Sequence, residues 1–315
     1  MRDARSASGH YRAHGSAVGS PPAHRLACVT YASGACSTDE PDLPTPTLMT
    51  PTAALKVFMP VRAPRIRLVC CSYAGGNASA YAHWHAGLPD DVEVCAVELP
   101  GRGARFREPP LRTMGALADH VMASVLPLVD ARIVLFGHSM GGALALELAS
   151  RLVDVGMPPS ALAVSGCAAP HLPSRRRRRL HDLPRDELVQ ELNLLEGLPA
   201  GMLDADAFID LFLPTIRADL ECRETWRAPI RAVPVPIHVL AGADDALVAL
   251  DDLGKWQRYS SLPVSVRVFG GEHFFIDSHR AEVLAHLREI LGEPPASASG
   301  GAVTRASTST AERIA

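Results

Sequence analysis

Short apolar runs alternate with longer amphipathic segments through the middle of this sequence. Apolar runs rich in β-branched residues predict strands, and segments with apolar spacing of about 3.6 residues predict helices. The predicted strands are 67–72, 92–97, 133–136, 161–165, 237–241 and 264–269, and the predicted helices are 114–129, 142–155 and 281–291. This alternation is typical of an α/β protein with a mostly parallel sheet covered by helices on both faces.

One interval breaks the alternation. Residues 167–236 contain helical patterns but no convincing strand. A stretch of this length between two strands is most simply an insertion over one end of the sheet. We therefore expect a helical lid over about 170–230.

Both ends of the chain differ in composition from the middle. Residues 1–54 and 294–315 are rich in small and polar residues without sustained apolar periodicity, which predicts disorder. A single domain over 55–293 remains, a length that one core can fill. Because Met49 stands just before this domain, we also consider the hypothesis that translation begins there.

The overall composition narrows the class of protein. Charged residues make up 21% of the chain and the formal net charge is -3, so nothing favours nucleic acid or an anionic surface as a partner. No apolar run approaches the roughly 20 residues of a membrane span, and we expect a cytoplasmic protein. The seven cysteines include no CxxC pair, which is typical of reduced thiols.

The clearest local signal is the sequence Gly-His-Ser-Met-Gly-Gly at 137–142. It follows a predicted strand and opens a predicted helix, which is the context of the nucleophile elbow in the α/β-hydrolase fold. Glycines at 137 and 141 allow the sharp turn, because a side chain there would collide with neighbouring backbone. We predict that Ser139 is the nucleophile of an enzyme with this fold.

A serine hydroxyl needs a histidine base and a carboxylate that orients the histidine. In this fold the acid and then the histidine follow the serine in the chain. His273 follows the last predicted strand and is the candidate base, while Asp244 and Asp245 follow the strand before it. We prefer Asp245, which completes a Gly-x-x-Asp-x-x-Val pattern, and expect Asp244 to cap the next segment. His138 is adjacent to the nucleophile and is expected to be structural.

Acyl transfer also requires hydrogen-bond donors for the oxyanion. The backbone N–H of Met140, directly after the nucleophile, is the first candidate. The second is the N–H of Ala74, in the small-residue loop 72–77 after the first predicted strand. That loop has neither the P-loop lysine nor the full GxGxxG pattern, so a phosphate-binding loop is disfavoured.

Spaced motifs over about 55–291 extend these local signals to most of the chain. They are Tyr-Ala-Gly-Gly at 73–76, Trp84, Glu-Leu-Pro-Gly-Arg-Gly at 98–103, Glu-Pro-Pro at 108–110, the serine segment, Pro-His-Leu-Pro at 170–173, Leu-Pro at 213–214, Arg-Ala-Asp at 217–219, and the Asp245 and His273 segments. In this order they resemble the type II thioesterases that accompany polyketide synthases and nonribosomal peptide synthetases.

The resemblance implies hydrolysis of stalled or aberrant acyl groups from the phosphopantetheine arm of acyl or peptidyl carrier domains. It implies Ser139, Asp245 and His273 as the triad and a helical lid over the acyl channel. No bound cofactor or metal is expected, because the prosthetic group belongs to the carrier. A cyclising terminal thioesterase, a small-ester carboxylesterase and a non-catalytic acyl- or carrier-binding protein are the alternatives. The absence of a fused carrier domain from this sequence favours hydrolysis in trans.

Two features of the insertion remain open. Five consecutive arginines, 175–179, form either a docking site for an acidic carrier or a solvated face. The apolar spacing over 204–213 fits a helix that lines the acyl channel or one that packs the lid on the body.

Overall fold

A seven-stranded sheet forms the centre of the fold. The structure, a computed structural model, describes residues 54–128, 130–176, 178–195 and 206–292. The strands are β1 Leu55–Val57, β2 Ile66–Cys71, β3 Val92–Val97, β4 Arg132–His138, β5 Ala161–Ser165, β6 Ile237–Gly242 and β7 Ser265–Phe269. Their order is β1-β3-β2-β4-β5-β6-β7, with β1 antiparallel to β3 and every other neighbouring pair parallel. The predicted fold class is confirmed.

Helices cover both faces of this sheet. They are α1 Met114–Val125, α2 Met140–Asp154, α3 Arg185–Leu194, α4 Asp206–Thr225, α5 Phe275–Ser278 and α6 Arg280–Gly292. Short 3-10 helices occupy Ala78–Tyr81, Trp84–Gly87, Gly103–Arg105, Leu180–Asp182 and Leu250–Tyr259. Alternate residues of β4 divide between two apolar cores, since Leu135 joins α1 and α2 on one face whereas Phe136 joins α6 on the other. Such two-sided burial explains why four successive residues of β4, 133–136, are all apolar.

The predicted strands are all present, with bounds shifted by at most two residues. The edge strand β1 was not predicted, because three residues are too few to show a period. The prediction of α1 as far as residue 129 was wrong, since the helix ends at Val125. Pro127 explains the difference, because it has no N–H to donate to the carbonyl of Ala123 and so cannot extend the helical hydrogen bonds.

The interval between β5 and β6 forms the predicted helical insertion. It contains the 3-10 helix Leu180–Asp182, α3 and α4. Leucines and isoleucines of these elements form an apolar cluster of their own, while Cys222 at the end of α4 joins the main core. Pro214 lies inside α4, and the helix continues through it because both of its halves are packed. The insertion is therefore anchored to the body and has a small core of its own.

The described residues begin at Ala54, one residue before the predicted start of the domain. The predictions for residues 1–53 and 294–315, including the hypothesis about Met49, lie outside the described residues. Ala54 was assigned to the N-terminal extension, but it is fully buried and its carbonyl accepts a hydrogen bond from the N–H of Glu98 (2.8 Å). It therefore belongs to the folded domain.

The cysteines and the helices of the described part of the chain bear on two predictions from the composition. The five cysteines in it are free and buried, as predicted for small core residues. None of its helices combines the length and the apolar character that crossing a bilayer requires.

Candidate active site

Ser139 occupies the tight turn between β4 and α2. Its backbone has φ 56° and ψ -117°, and it is the one non-glycine residue with positive φ in the described part of the chain. The strand pairing holds this turn in place, because the Ser139 N–H donates to the carbonyl of Ser165 at the end of β5 (2.8 Å). A strained, well-supported backbone of this kind is typical of a functional residue.

The two glycines that flank the turn are required by close backbone packing. A Cβ atom on Gly137 would overlap the backbone of Gly141, and one on Gly141 would overlap the carbonyl of Cys71 in β2. Both contacts are with main chain, which cannot move without disturbing the sheet. The sequence pattern around Ser139 therefore has a steric cause.

The substitution Gly141→Ala tests this steric requirement. We expect it to lower the free energy of unfolding by about 3 kcal/mol, the upper end for overpacked sites, and to reduce activity by displacing Ser139. Gly254→Ala is the matched control, because nothing lies within 4 Å of the added Cβ. Thermal unfolding of the two variants measures the difference. Equal stability of the two variants would contradict the steric argument.

The structure brings Ser139, Asp245 and His273 together. Nδ1 of His273 lies 2.8 Å from Asp245 Oδ2, and Nε2 lies 3.0 Å from Ser139 Oγ. A carboxylate only accepts, so Nδ1 carries the proton and Nε2 is free to accept from the serine hydroxyl. The Asp245 side chain is fully buried and the His273 side chain is 7% exposed. This geometry suits proton transfer from Ser139 to His273.

The two adjacent aspartates have different surroundings. Asp245 is buried beside His273, and its Oδ1 accepts a hydrogen bond from the N–H of Leu247 (2.8 Å). Asp244 is exposed. The expectation that Asp244 caps the following segment was wrong, because Asp245 supplies the cap with its second oxygen. One carboxylate thus holds both its own loop and the histidine.

His138 lies beneath the serine turn. It is fully buried, and its Nδ1 shares a hydrogen bond with Ser165 Oγ (3.0 Å). Burial, followed by the nearby His273, holds the pKa of His138 well below its usual value. The ring is therefore neutral at physiological pH. Its partner is Ser165 and not Ser139, which fits the structural role expected from the sequence.

The two candidate oxyanion donors lie in different elements. Met140 is the first residue of α2, where N–H groups have no acceptor within the helix. Ala74 lies in the loop after β2, and its N–H has no protein acceptor among the residues that the structure describes. The next N–H in this loop, that of Gly75, is already occupied by Asp219 Oδ2 (2.7 Å). The assignment of Met140 and Ala74 as donors stays a prediction.

A buried ion pair supports the Ala74 loop. Arg102 donates to Asp219 through both terminal nitrogens (2.6 and 2.8 Å) and to the carbonyl of Gly76 (3.1 Å). Arg102 is 2% exposed and Asp219 is fully buried. Since Asp219 also accepts from Gly75, the pair fixes both sides of the loop and connects it to α4. Neither residue was predicted from the sequence to have a role, although both belong to the spaced motifs.

A cavity of about 320 Å³ opens beside Ser139 and His273. The insertion forms much of its wall, with Leu172, Leu180 and Leu220 on the lining, and Leu247 and Val248 follow β6. Four of the arginines at 175–179 also line it, and Arg177 lies outside the described residues. In the described part of the chain, no group of three or more His, Cys, Asp or Glu side chains is placed to hold a metal ion.

The sheet order, the strained serine turn and the helical insertion after β5 make this chain an α/β-hydrolase. Residues 66–291 match the thioesterase domain family. The match covers most of the chain, which therefore belongs to this family of hydrolases acting on thioester bonds.

Individual relatives agree with the family match. The chain is 36% identical over 238 residues to a probable cadicidin biosynthesis thioesterase of Streptomyces griseus, an alignment covering 75% of this chain and 65% of the relative. It is 33% identical to the thioesterase PikA5 of Streptomyces venezuelae, with 77% and 88% covered. Among solved structures, the type II thioesterase BorB from the borrelidin biosynthetic cluster superposes with a TM-score of 0.69 at 34% identity, covering 75% of this chain and 97% of BorB.

Proposed function

We propose that this protein is a stand-alone type II thioesterase that hydrolyses acyl groups from the phosphopantetheine arm of carrier domains. The observation that carries the proposal is the hydrogen-bonded series of Ser139, His273 and Asp245 beside a cavity. The relatives support the type of pathway, since two of those named above are thioesterases of cadicidin and borrelidin biosynthesis, and a similar solved structure is ClbQ from the colibactin NRPS/PKS pathway. The expected partners are acyl or peptidyl carrier proteins of a polyketide synthase or nonribosomal peptide synthetase.

The first half of the proposed reaction forms an acyl-enzyme. Nε2 of His273 accepts the Ser139 proton as Oγ attacks the thioester carbonyl carbon. The N–H groups of Met140 and Ala74 stabilise the negative charge that develops on the carbonyl oxygen. Collapse of the tetrahedral intermediate breaks the carbon–sulfur bond, and the arm leaves as a thiol with the proton carried by His273.

The second half releases the acid. His273 takes a proton from water, whose oxygen attacks the Ser139 ester. The second tetrahedral intermediate collapses, the proton returns to Oγ, and the free acid departs. Asp245 holds His273 in the tautomer with Nδ1–H and stabilises the imidazolium in both halves. The residues of the chain provide every proton acceptor that this sequence of steps requires.

We further propose that the enzyme acts in trans, in the cytoplasm, on carriers blocked by aberrant or stalled acyl groups. Release of the acid restores the free thiol of the arm, so the synthase can load it again. The phosphopantetheine belongs to the carrier, and the enzyme requires no cofactor of its own in this mechanism.

Acid release from an acyl-phosphopantetheinyl carrier protein tests the proposal. We expect wild-type protein to cleave this thioester and Ser139→Ala to lose nearly all activity, because alanine removes the nucleophile but keeps the Cβ. An ester of the same acyl group with a simple alcohol is the comparison substrate. We expect it to be a poor substrate. Liquid chromatography with mass detection measures the acid and the deacylated carrier.

Other outcomes correspond to other functions. Turnover of the alcohol ester alone indicates a carboxylesterase, and a cyclic product indicates a terminal thioesterase. A protein that turns over neither substrate and does not react with a fluorophosphonate at Ser139 is a non-catalytic binding protein. Each of these results would overturn the proposed function.

A further inference from the structure

We propose that an arginine wall in the cavity binds the phosphate of the phosphopantetheine arm, an inference that rests on the proposed function. We define the arginine wall as Arg175, Arg176, Arg178, Arg179, Arg223 and Arg227, all of which line the same cavity as Ser139 and His273. The first four precede the 3-10 helix Leu180–Asp182, and the other two lie in or just after α4. The insertion therefore supplies a strongly basic surface to the space beside the nucleophile.

Much of this positive charge is not neutralised by the protein. Arg176 and Arg178 form ion pairs with Glu191 and Glu187 of α3. The remaining four arginines of the wall form no ion pair within the part of the chain that the structure describes: Arg175, Arg179, Arg223 and Arg227.

The acidic residues on the cavity lining compensate only part of this charge. They are Glu224 and Asp252, two carboxylates against four arginines that have no ion pair within the described residues. Glu224 is also directed towards the backbone, since its oxygens accept hydrogen bonds from the N–H groups of Leu180 and His181 (2.8 and 3.1 Å). The cavity therefore favours an anion.

The proposed substrate contains one anion that is always present. The acyl group varies and the pantetheine amides are neutral, but a phosphodiester joins every arm to its carrier and remains ionised at neutral pH. Guanidinium groups match phosphate oxygens in geometry and form charge-assisted hydrogen bonds with them. When the thioester lies at Ser139, the phosphate lies at the opposite end of the same arm.

The size of the site favours the arm over the folded carrier. A cavity of about 320 Å³ accepts a single extended chain of atoms but not a protein domain. Arg175, Arg179 and Arg227 are exposed although they line the cavity, so they lie at its open side, where the phosphate end of an inserted arm leaves it. The arginine wall thus distinguishes a phosphorylated arm from a bare pantetheine thioester.

Two small thioesters with the same acyl group, one with the phosphate and one without it, measure the contribution of the phosphate to hydrolysis. We expect wild-type enzyme to hydrolyse acyl-4′-phosphopantetheine with a kcat/KM about 10- to 100-fold higher than that for acyl-pantetheine, the effect of one or two charge-assisted hydrogen bonds. In the double variant Arg175→Gln/Arg179→Gln this ratio should fall towards one. Arg107→Gln is the matched control, because Arg107 is exposed and outside the cavity lining, and it should keep the wild-type ratio.

The outcomes separate this inference from the proposed function. A wild-type ratio near one, or a ratio that survives in the double variant with unchanged thermal stability, overturns the phosphate site. A double variant that loses activity only with the complete acyl carrier, while the wild-type ratio stays near one, shows that the arginine wall recognises the carrier surface, and this also overturns it. Failure of wild-type enzyme to cleave any thioester contradicts the proposed function itself.

Discussion

Replacing Asp245 by Asn is expected to lower kcat about 10⁴-fold, the loss typical of an amide at this position of a serine triad. Oδ2 of Asp245 now accepts the Nδ1 proton of His273 at 2.8 Å. An amide NH₂ at that place donates to Nδ1 and moves the ring proton to Nε2, which then cannot accept from Ser139. Steady-state hydrolysis of an acyl carrier protein measures the effect.

Asp244→Asn is the control for this prediction. Asp244 is adjacent in the chain but exposed, so its variant should retain activity close to that of wild type. Asparagine at 245 keeps an oxygen for the N–H of Leu247, and the loop should therefore remain folded. A large loss of activity in Asp244→Asn together with normal activity in Asp245→Asn would contradict the assignment. It would show that Asp244, not Asp245, orients His273.

Removing the carboxylate of Asp219 is expected to destabilise the fold by about 3–5 kcal/mol, as for other buried ion pairs that lose one partner. Arg102 would remain as an uncompensated charge in a site where it is 2% exposed. For a domain of this size the loss corresponds to a fall of about 6–20 °C in the melting temperature. Thermal unfolding of Asp219→Ala checks the value. Asp154→Ala is the control, because it removes an ion pair with Arg231 whose side chains are about half exposed, and solvent screening leaves such a pair with little effect on stability.

A double variant separates stability from positioning. Arg102→Met/Asp219→Leu removes both charges, so that no uncompensated charge is buried. We therefore expect much of the stability lost in Asp219→Ala to return. The N–H of Gly75 still lacks its acceptor, and the loop that carries Ala74 is less firmly held. We therefore expect kcat to stay low in the double variant. Recovery of both stability and turnover would show that Ala74 does not depend on this ion pair.

The sequence predicted the parts of the site that follow strands. Ser139, Asp245 and His273 each come after an apolar run, and the carboxyl ends of parallel strands meet at one edge of the sheet. Their proximity therefore followed from the order of the strands and from local patterns. The preference for Asp245 over Asp244 as the carboxylate that orients His273 also agrees with the burial of Asp245. The prediction that Asp244 caps the following segment was wrong, since Asp245 accepts the hydrogen bond from the N–H of Leu247.

Contacts between distant segments could not be predicted in the same way. Arg102 and Asp219 lie in a loop after β3 and in α4, and no periodicity relates them. Their pairing depends on how the insertion packs over the sheet edge, which is a property of the tertiary structure. The same holds for α4 itself. The apolar spacing predicts a helix over 204–213, whereas α4 continues through Pro214 to Thr225, because tertiary packing outweighs the helix-breaking tendency of proline.

The left-handed backbone of Ser139 also constrains how this protein can change during evolution. Glycine adopts φ 56° without strain, whereas serine and alanine do not. Replacing Ser139 by glycine is therefore expected to raise stability while abolishing turnover. Selection for catalysis and selection for folding oppose each other at this position. In a lineage that no longer needs the activity, we expect this serine to be among the first residues lost.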